Sequence, residues 1–346
     1  MTVESGVEVR LEEDLAIEGQ LLIESGVKIV MEAGTAINGS GLIQAEGTDS
    51  APITFSVATT AGSTVVSGSV DLSNMATVTQ ASLSGLEYHR LIYCQFNGYQ
   101  IDLDLKLDNY NQYKSGSLGR IQNCQFQNCQ LQAEATRFED SQIQSSVVNL
   151  TRVLSFADNQ VDSSQISLLV PEDIDNKAIS IEGNQVTGGK GLSVSDISRW
   201  AYGLSIEISR NQIENVVESG AAGLSVKPHS NPILVEGNTI SNCGLGLEIK
   251  SNMIIGQNGT GQGLDQLTIR YNNLQSNSQS LQLPATMSSW QSAVPSVAVG
   301  YNWWGSVDAA AIGQQILEHQ DDIQRARANY SPLLAQAYDG TETSLP

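Results

Sequence analysis

Ile208-Ser209-Arg210-Asn211-Gln212-Ile213 is followed 27 residues later by Val235-Glu236-Gly237-Asn238-Thr239-Ile240. Both read apolar, two mostly polar residues, a small polar pivot, one further residue, apolar. The pattern extends in both directions from this pair. Upstream pivots are Asn184, Asn159, Ser141, Cys124 and Cys94, and downstream pivots are Asn272 and Asn302. From Cys94 to Asn302 the steps are 30, 17, 18, 25, 27, 27, 34 and 30 residues. A repeat of this length means stacked coils, none of which buries its apolar face alone. Asn at the pivot suits a turn, because it tolerates the left-handed backbone region. Stacked Asn side chains can also bond to one another along the stack. Cys and Ser are small enough to occupy the same corner.

A second column fixes the register. Short alternating strands follow the pivots: Ile101–Asp104, Leu131–Glu134, Val148–Thr151, Ile166–Leu169, Leu192–Ser195, Leu224–Lys227, Leu247–Lys250 and Leu281–Pro284. Period-two alternation sends Leu, Ile and Val inward and the residues between them outward. Gly191, Gly223 and Gly246 precede three of these strands as turn residues. Apolar stretches at 3.6-residue spacing, which a helical solenoid needs, are not seen.

The N-terminus repeats with a shorter period. Glu4-Ser-Gly-Val7 and Glu24-Ser-Gly-Val27 lie 20 residues apart, and Leu15-Ala-Ile17 and Thr35-Ala-Ile37 keep that offset. Strands are expected at 7–11, 21–23, 27–31 and 42–45. Here the chain resembles the secreted right-handed parallel β-helix proteins, which are similar in fold to pectate lyases. Gly39-Ser-Gly-Leu-Ile-Gln-Ala-Glu-Gly-Thr48 with Ala51-Pro-Ile-Thr-Phe55 resembles that family's opening coils. Asn302-Trp-Trp-Gly-Ser-Val-Asp308, Ile312, Ile316 and Tyr330-Ser-Pro332 resemble its closing coil and cap.

The expected fold is all-β, a single-stranded right-handed parallel β-helix solenoid with a C-terminal capping helix. One domain is expected over 1–346: short-period coils at 1–55, main coils with the pivot ladder at 56–300, and a closing coil with the helix at 301–346. The least regular stretch, 56–83, reads as coils with longer loops, strand-like at 63–66 and 77–83. In the cap, Ser306 or Asp308 starts a helix with Ile312, Ile316 and Leu317 at helical spacing. Trp303 and Trp304 precede it and complete the cover. Asp321-Asp322 reads as a solvated turn.

Acidic residues outnumber basic ones 37 to 17, a formal charge of −20. Such a surface repels nucleic-acid phosphates and anionic lipid. It also disfavours a strongly anionic glycan unless calcium bridges the two. Neither nucleic acid nor membrane insertion is expected, and no stretch is as long as a membrane span. Met1-Thr-Val-Glu4 runs directly into the first repeat, so no export signal is visible. The resemblance implies a secreted or cell-surface protein, expected as a monomer, with its signal outside this sequence. Cys94 and Cys124 share one corner column, and Cys129 and Cys243 share another. Parallel stacking holds the Cβ atoms of Cys94 and Cys124 slightly too far apart for a bridge, and five coils, roughly 24 Å, separate Cys129 from Cys243, so all four read as small buried residues.

The outward positions of the second column are the candidate site, because ligands of the resembled family lie along an outward strand face. Asp102, Asp104 and Glu134 form an acidic group near one end, able to share calcium or act as an acid/base pair. Lys227 and Lys250 stack near the other end, with Glu248 adjacent and His229 close in sequence; a lyase base could come from such a group. The Asp-Asp, Gly-His and Arg-x-Lys set of polygalacturonases and the Asp-Pro-His-Glu signature of alginate epimerases are missing. Two function classes stay open. One is an adhesin-like or glycan-binding surface module facing a polysaccharide or surface protein. The other is a polysaccharide lyase or glycoside hydrolase with a divergent site on the outer strand face.

Overall fold

The computed structural model describes residues 1–32, 35–39, 41–57, 68–71, 90–103, 119–170, 178–196, 204–250, 264–285, 296–318, 321–322 and 325–340. They fall into two compact units, Met1–Ser164 and Gln165–Pro346. Each unit is a parallel β-helix with three strand faces per coil, and every strand pairing within it is parallel.

In the first unit, the first face includes Gln20–Ile23, Leu42–Glu46, Arg90–Ile92 and Gly119–Gln122. The second face includes Glu8–Leu11, Lys28–Met31, Ile53–Val57, Cys94–Asn97, Gln125–Gln127, Gln142–Gln144 and Gln160–Asp162. The third face includes Ala36–Gly39, Gly68–Asp71, Tyr99–Leu103 and Val147–Thr151. Gln130–Glu139 serves the third face with its first half and the first face with its second, turning the corner in one strand.

The second unit repeats the plan. Ala178–Glu182, Ser205–Ser209, Ile233–Glu236, Leu267–Arg270, Ser296–Ala298 and Arg327–Asn329 form its first face. Gln185–Thr187, Gln212–Glu214 and Thr239–Ser241 form its second. Gln165–Val170, Gly191–Asp196, Leu224–Lys227, Leu245–Ile249, Gln279–Gln282 and Ile316–Leu317 form its third.

Like stacks on like through the interior. Phe55, Phe96 and Phe126 stack at centroid separations of 4.4 and 5.4 Å, followed by Phe138 and Phe156. In the second unit Leu192, Leu224, Leu247 and Leu281 occupy one register position on successive coils, all buried. Each such side chain contributes roughly 1.5–3 kcal/mol through burial. The glycine before the third-face strand is required by close approach. Gly191 has φ 73°, and a Cβ built there would lie 2.2 Å from the carbonyl oxygen of Ala222.

The pivot column is an inward corner ladder, as expected. In the second unit Asn184 Nδ2 donates to Asn211 Oδ1 at 2.8 Å, Asn211 to Asn238 at 2.8 Å, Asn238 to Asn272 at 2.9 Å and Asn272 to Asn302 at 2.9 Å. All five are fully buried. The backbone assignment needs correction. The left-handed residue is the one before the pivot: Tyr93, Asn123, Asp140, Asp158, Gly183, Arg210, Gly237, Tyr271 and Tyr301 all have φ between 51° and 67°. That residue makes the turn, and the pivot is thereby aimed inward.

Three further expectations shift. Leu15 pairs with Ile37, an offset of 22 rather than 20, because the coil lengthens between Met31 and Ala36. The C-terminal helix is short, Ala309–Gly313, with Asp308 Oδ1 accepting the Ala310 N–H at 2.9 Å. Ile316–Leu317 is a third-face strand paired with Leu281 and Gln282, so those apolar residues close a coil rather than a helical face. The expected strands at 63–66 and 77–83 lie outside the described residues.

Candidate functional site

The third face of the second unit carries the stacked lysines. Ser195 is in register with Lys227, and Ser225 with Glu248. The Lys250 N–H donates to the Val226 carbonyl at 2.8 Å, which carries that register on and sets Lys250 one coil from Lys227. Glu248 lies between strands as a shared acceptor. It takes the Lys250 ammonium at 3.2 Å and the Ser225 hydroxyl at 3.3 Å. Lys227 is half-buried and, among the described residues, has no ion-pair partner. The face thus holds one neutralised lysine and one unneutralised lysine, one coil apart.

Behind Lys227 the chain turns through Pro228 to Asn231, and a buried carboxylate sets that turn. Asp196 Oδ2 accepts the backbone N–H groups of Ser230 and Asn231, each at 3.0 Å, and Asn231 Nδ2 lies 3.3 Å from both its oxygens. Charge-assisted bonds of this kind are stronger than neutral ones and hold the loop to one geometry. His229 is nearly buried, and its Nδ1 lies 2.6 Å from Ser230 Oγ. Sequence reading passed over Asp196, Ser230 and Asn231. The signal was present: Leu192, Val194 and Asp196 share inward parity, so Asp196 is an acid where alternation calls for an apolar side chain.

The acidic group of the first unit is only partly described. Asp104 lies outside the described residues, and of Asp102 and Glu134 the backbone alone is described. Asp102 is in register with Asp71 on one side and Gln132 on the other, and Glu134 with Thr151. Asp71 is thus a fourth acid in this column that the sequence reading did not include. Among the described residues no group of three or more His, Cys, Asp or Glu could hold a metal ion.

At the C-terminus Trp304 is buried, and Trp303 donates its indole N–H to Gln275 at 3.0 Å. Asp321 accepts the Glu318 N–H at 3.1 Å, and Asp322 pairs with Arg325 at 3.4 Å, so the two acids order a turn. All four cysteines are free and buried. Burial pushes the thiols of Cys94, Cys129 and Cys243 above their ordinary value. Among the described residues no helix is long and apolar enough to cross a membrane.

No protein-family model matches the chain, and no curated protein matches it. Among solved structures it is similar to the alginate lyase from Paenibacillus sp. str. FPU-7, at 11% identity and a TM-score of 0.23, over 81% of this chain and 89% of that one. A likeness this low carries no argument. The fold rests on the strand register, and any activity rests on the side chains.

Proposed function

We propose that this β-helix holds a uronate-bearing polysaccharide along the third face of its second unit and cleaves it by β-elimination. The observation that carries the reading is the Lys227–Lys250 column beside a loop pinned by buried Asp196. In β-elimination a base removes the C5 proton of the uronate, a C4=C5 double bond forms, the C4–O bond breaks, and the departing oxygen takes up a proton. Negative charge grows on the carboxylate side as the proton leaves, and the unpaired Lys227 ammonium is placed to neutralise it, with Lys250 one coil away released to it only as the Glu248 pair opens. His229 is the candidate base: its Nδ1 lies against Ser230 Oγ, and Asp196 holds the backbone N–H groups of the next two residues, Ser230 and Asn231. The net charge of −20 opposes an anionic ligand at long range. Screening within about 8 Å at physiological salt leaves the local lysine pair to decide. Such a substrate lies outside the cell, in keeping with a secreted or surface-exposed protein.

A non-catalytic glycan-binding module is the second reading. The Glu248–Lys250 ion pair favours it, because it occupies one of the two ammonium groups that elimination would use. One experiment separates the readings. The protein is incubated with polygalacturonate, alginate and hyaluronan, and the ultraviolet absorbance of unsaturated uronate is followed. Elimination predicts product from at least one polymer, and a loss of roughly 100-fold or more in His229→Gln and Lys227→Ala with the fold intact. Binding without product, lost in Lys227→Ala, would establish the module instead. Neither binding nor product would remove both readings.

A further inference from the structure

Each unit carries an outward groove at the corner where the first face turns into the second. In the first unit the groove has a volume of about 180 Å³. One wall is Tyr93, Asn123 and Asp140, and the other is Gln95, Gln125 and Gln142. In the second unit the groove holds about 370 Å³. One wall is Arg210 and Gly237, the other Gln212, Thr239 and Asn273, and Tyr338 closes its end. The two grooves are built alike. The left-handed residue before each pivot makes one wall, the residue after each pivot makes the other, and the buried pivot lies beneath. This corner is separate from the lysine-bearing third face.

We propose that this corner groove is a second glycan site, one that binds a neutral, linear polysaccharide lying along the stack of coils. Three observations point to that ligand. First, the carboxamides are available. On the second face of the first unit, the outer row is bonded within itself, Gln127 to Gln144 at 3.3 Å and Gln144 to Asp162 at 3.5 Å. The groove row, Gln95, Gln125 and Gln142, has no side-chain hydrogen bond among the described residues. A carboxamide offers two donors and an acceptor without net charge, which matches sugar hydroxyls and not an ion.

Second, the groove presents planar rings in a chain that is only 5% aromatic. Tyr93 stands in the left-handed column of the first unit. In the second unit Gly237 leaves a gap in that column, and the C-terminal tail fills it with Tyr338. The Tyr338 ring lies 3.8 Å from a Cβ built at Gly237 and stacks on Tyr271 at 5.3 Å. Asn273 clasps its backbone, accepting the Tyr338 N–H at 2.7 Å and donating to its carbonyl at 3.0 Å. A ring held this firmly is a preorganised wall on which a sugar ring can lie.

Third, the spacing fits. Successive carboxamides recur with each coil, ~4.8 Å apart, about the length of one sugar unit in a linear chain. An extended peptide repeats its side chains on one side only every ~6.6 Å and falls out of step. The first groove, at about 180 Å³, is smaller than the ~300–1,000 Å³ of small-molecule pockets, and the second, at about 370 Å³, sits at the low end of that range, so both suit a short segment of a long chain.

The test is calorimetric titration of the full chain with cellohexaose, mannohexaose and xylohexaose. At least one is expected to bind at two sites. Tyr93→Asn combined with Gln125→Ala and Gln142→Ala should remove the first-unit site and halve the stoichiometry, since Asn keeps the left-handed backbone while losing the ring. Adding Tyr338→Ala should weaken the remaining site at least tenfold. Gln125 and Gln142 are exposed, so an unchanged thermal melt shows that the fold survives. Lys227→Ala should leave neutral-glycan binding unchanged, which separates this site from the lysine face. The proposal is overturned if no hexasaccharide binds, if the combined variant leaves the stoichiometry unchanged, if adding Tyr338→Ala leaves the remaining affinity unchanged, or if binding disappears in Lys227→Ala.

Discussion

The same inward corner is built from different chemistry in the two units. In the second, five buried asparagines join five coils. Each internal Asn accepts from the backbone and side chain of the preceding coil's Asn and donates to the next, as Asn211 does with Asn184 and Asn238. Its Nδ2 also reaches the Ile181 carbonyl, so one side chain satisfies groups on both neighbouring coils. In the first unit, Cys94, Cys124 and Ser141 hold the corner before Asn159. Here the side chain accepts one N–H, Cys124 N to Ser141 Oγ at 3.1 Å and Ser141 N to Asn159 Oδ1 at 3.0 Å, and its own hydrogen returns to a carbonyl. The thiols of Cys94 and Cys124 reach carbonyls at 3.4 and 3.3 Å, weak bonds for sulfur. Nearly the same corner geometry therefore tolerates a continuous amide ladder or a chain of separate side-chain-to-backbone bonds. The difference lies in how many bonds fail together when one residue is removed.

The largest expected effect breaks the ladder. Asn211→Ala removes bonds to Asn184, Asn238 and Ile181 at once and leaves buried polar groups without partners. A loss of roughly 2–5 kcal/mol is expected in a urea melt. A smaller loss comes with alkaline pH. Burial raises the thiols of Cys94, Cys129 and Cys243, so the folded protein keeps them neutral while the unfolded chain ionises them above about pH 8.5. Their contribution is present below that pH and declines as pH rises through the raised folded values. Stability measured from pH 7 to 10 should fall, and a Cys94→Ser, Cys129→Ser, Cys243→Ser variant should flatten the decline. The smallest effect is Cys124→Ser, within ~1 kcal/mol, because Ser141 already serves one coil further on. A Cys124→Ser loss as large as that of Asn211→Ala would erase the contrast between the units.

Much of this was legible in the sequence, and the misreadings have physical causes. The pivot spacing gave the ladder, because a buried corner accepts only small polar side chains. The third-face register followed from alternation, and Lys227 and Lys250 fell into step as read. The left-handed residue was misplaced by one. Tyr, Asp, Asn, Arg and Gly share that position, and such a mixture carries no signature of backbone conformation. The repeated Ala-Ile pair matches by identity at an offset of 20, while the strand pairing moves from an offset of 20 at Leu11–Met31 to 22 at Leu15–Ile37. The C-terminal helix was overextended because Ile312, Ile316 and Leu317 fit helical spacing equally well. Asp196 is marked in the sequence only by its inward parity, an acid in line with Leu192 and Val194. The Gln column is visible in six of the nine motifs, but only the folded corner shows that it faces a groove.

The central claim is that the buried corner is a continuous, load-sharing amide ladder, and side-chain hydrogen exchange tests it most directly. Nuclear magnetic resonance of the labelled protein can follow the carboxamide protons of Asn211 and, as an exposed control, Gln125. The ladder predicts that Asn211 exchanges more slowly by over ~1,000-fold, because its protons are released only by a sub-global opening costing upward of ~4 kcal/mol. Asn211 exchanging as fast as Gln125 would contradict the ladder and the contrast built on it.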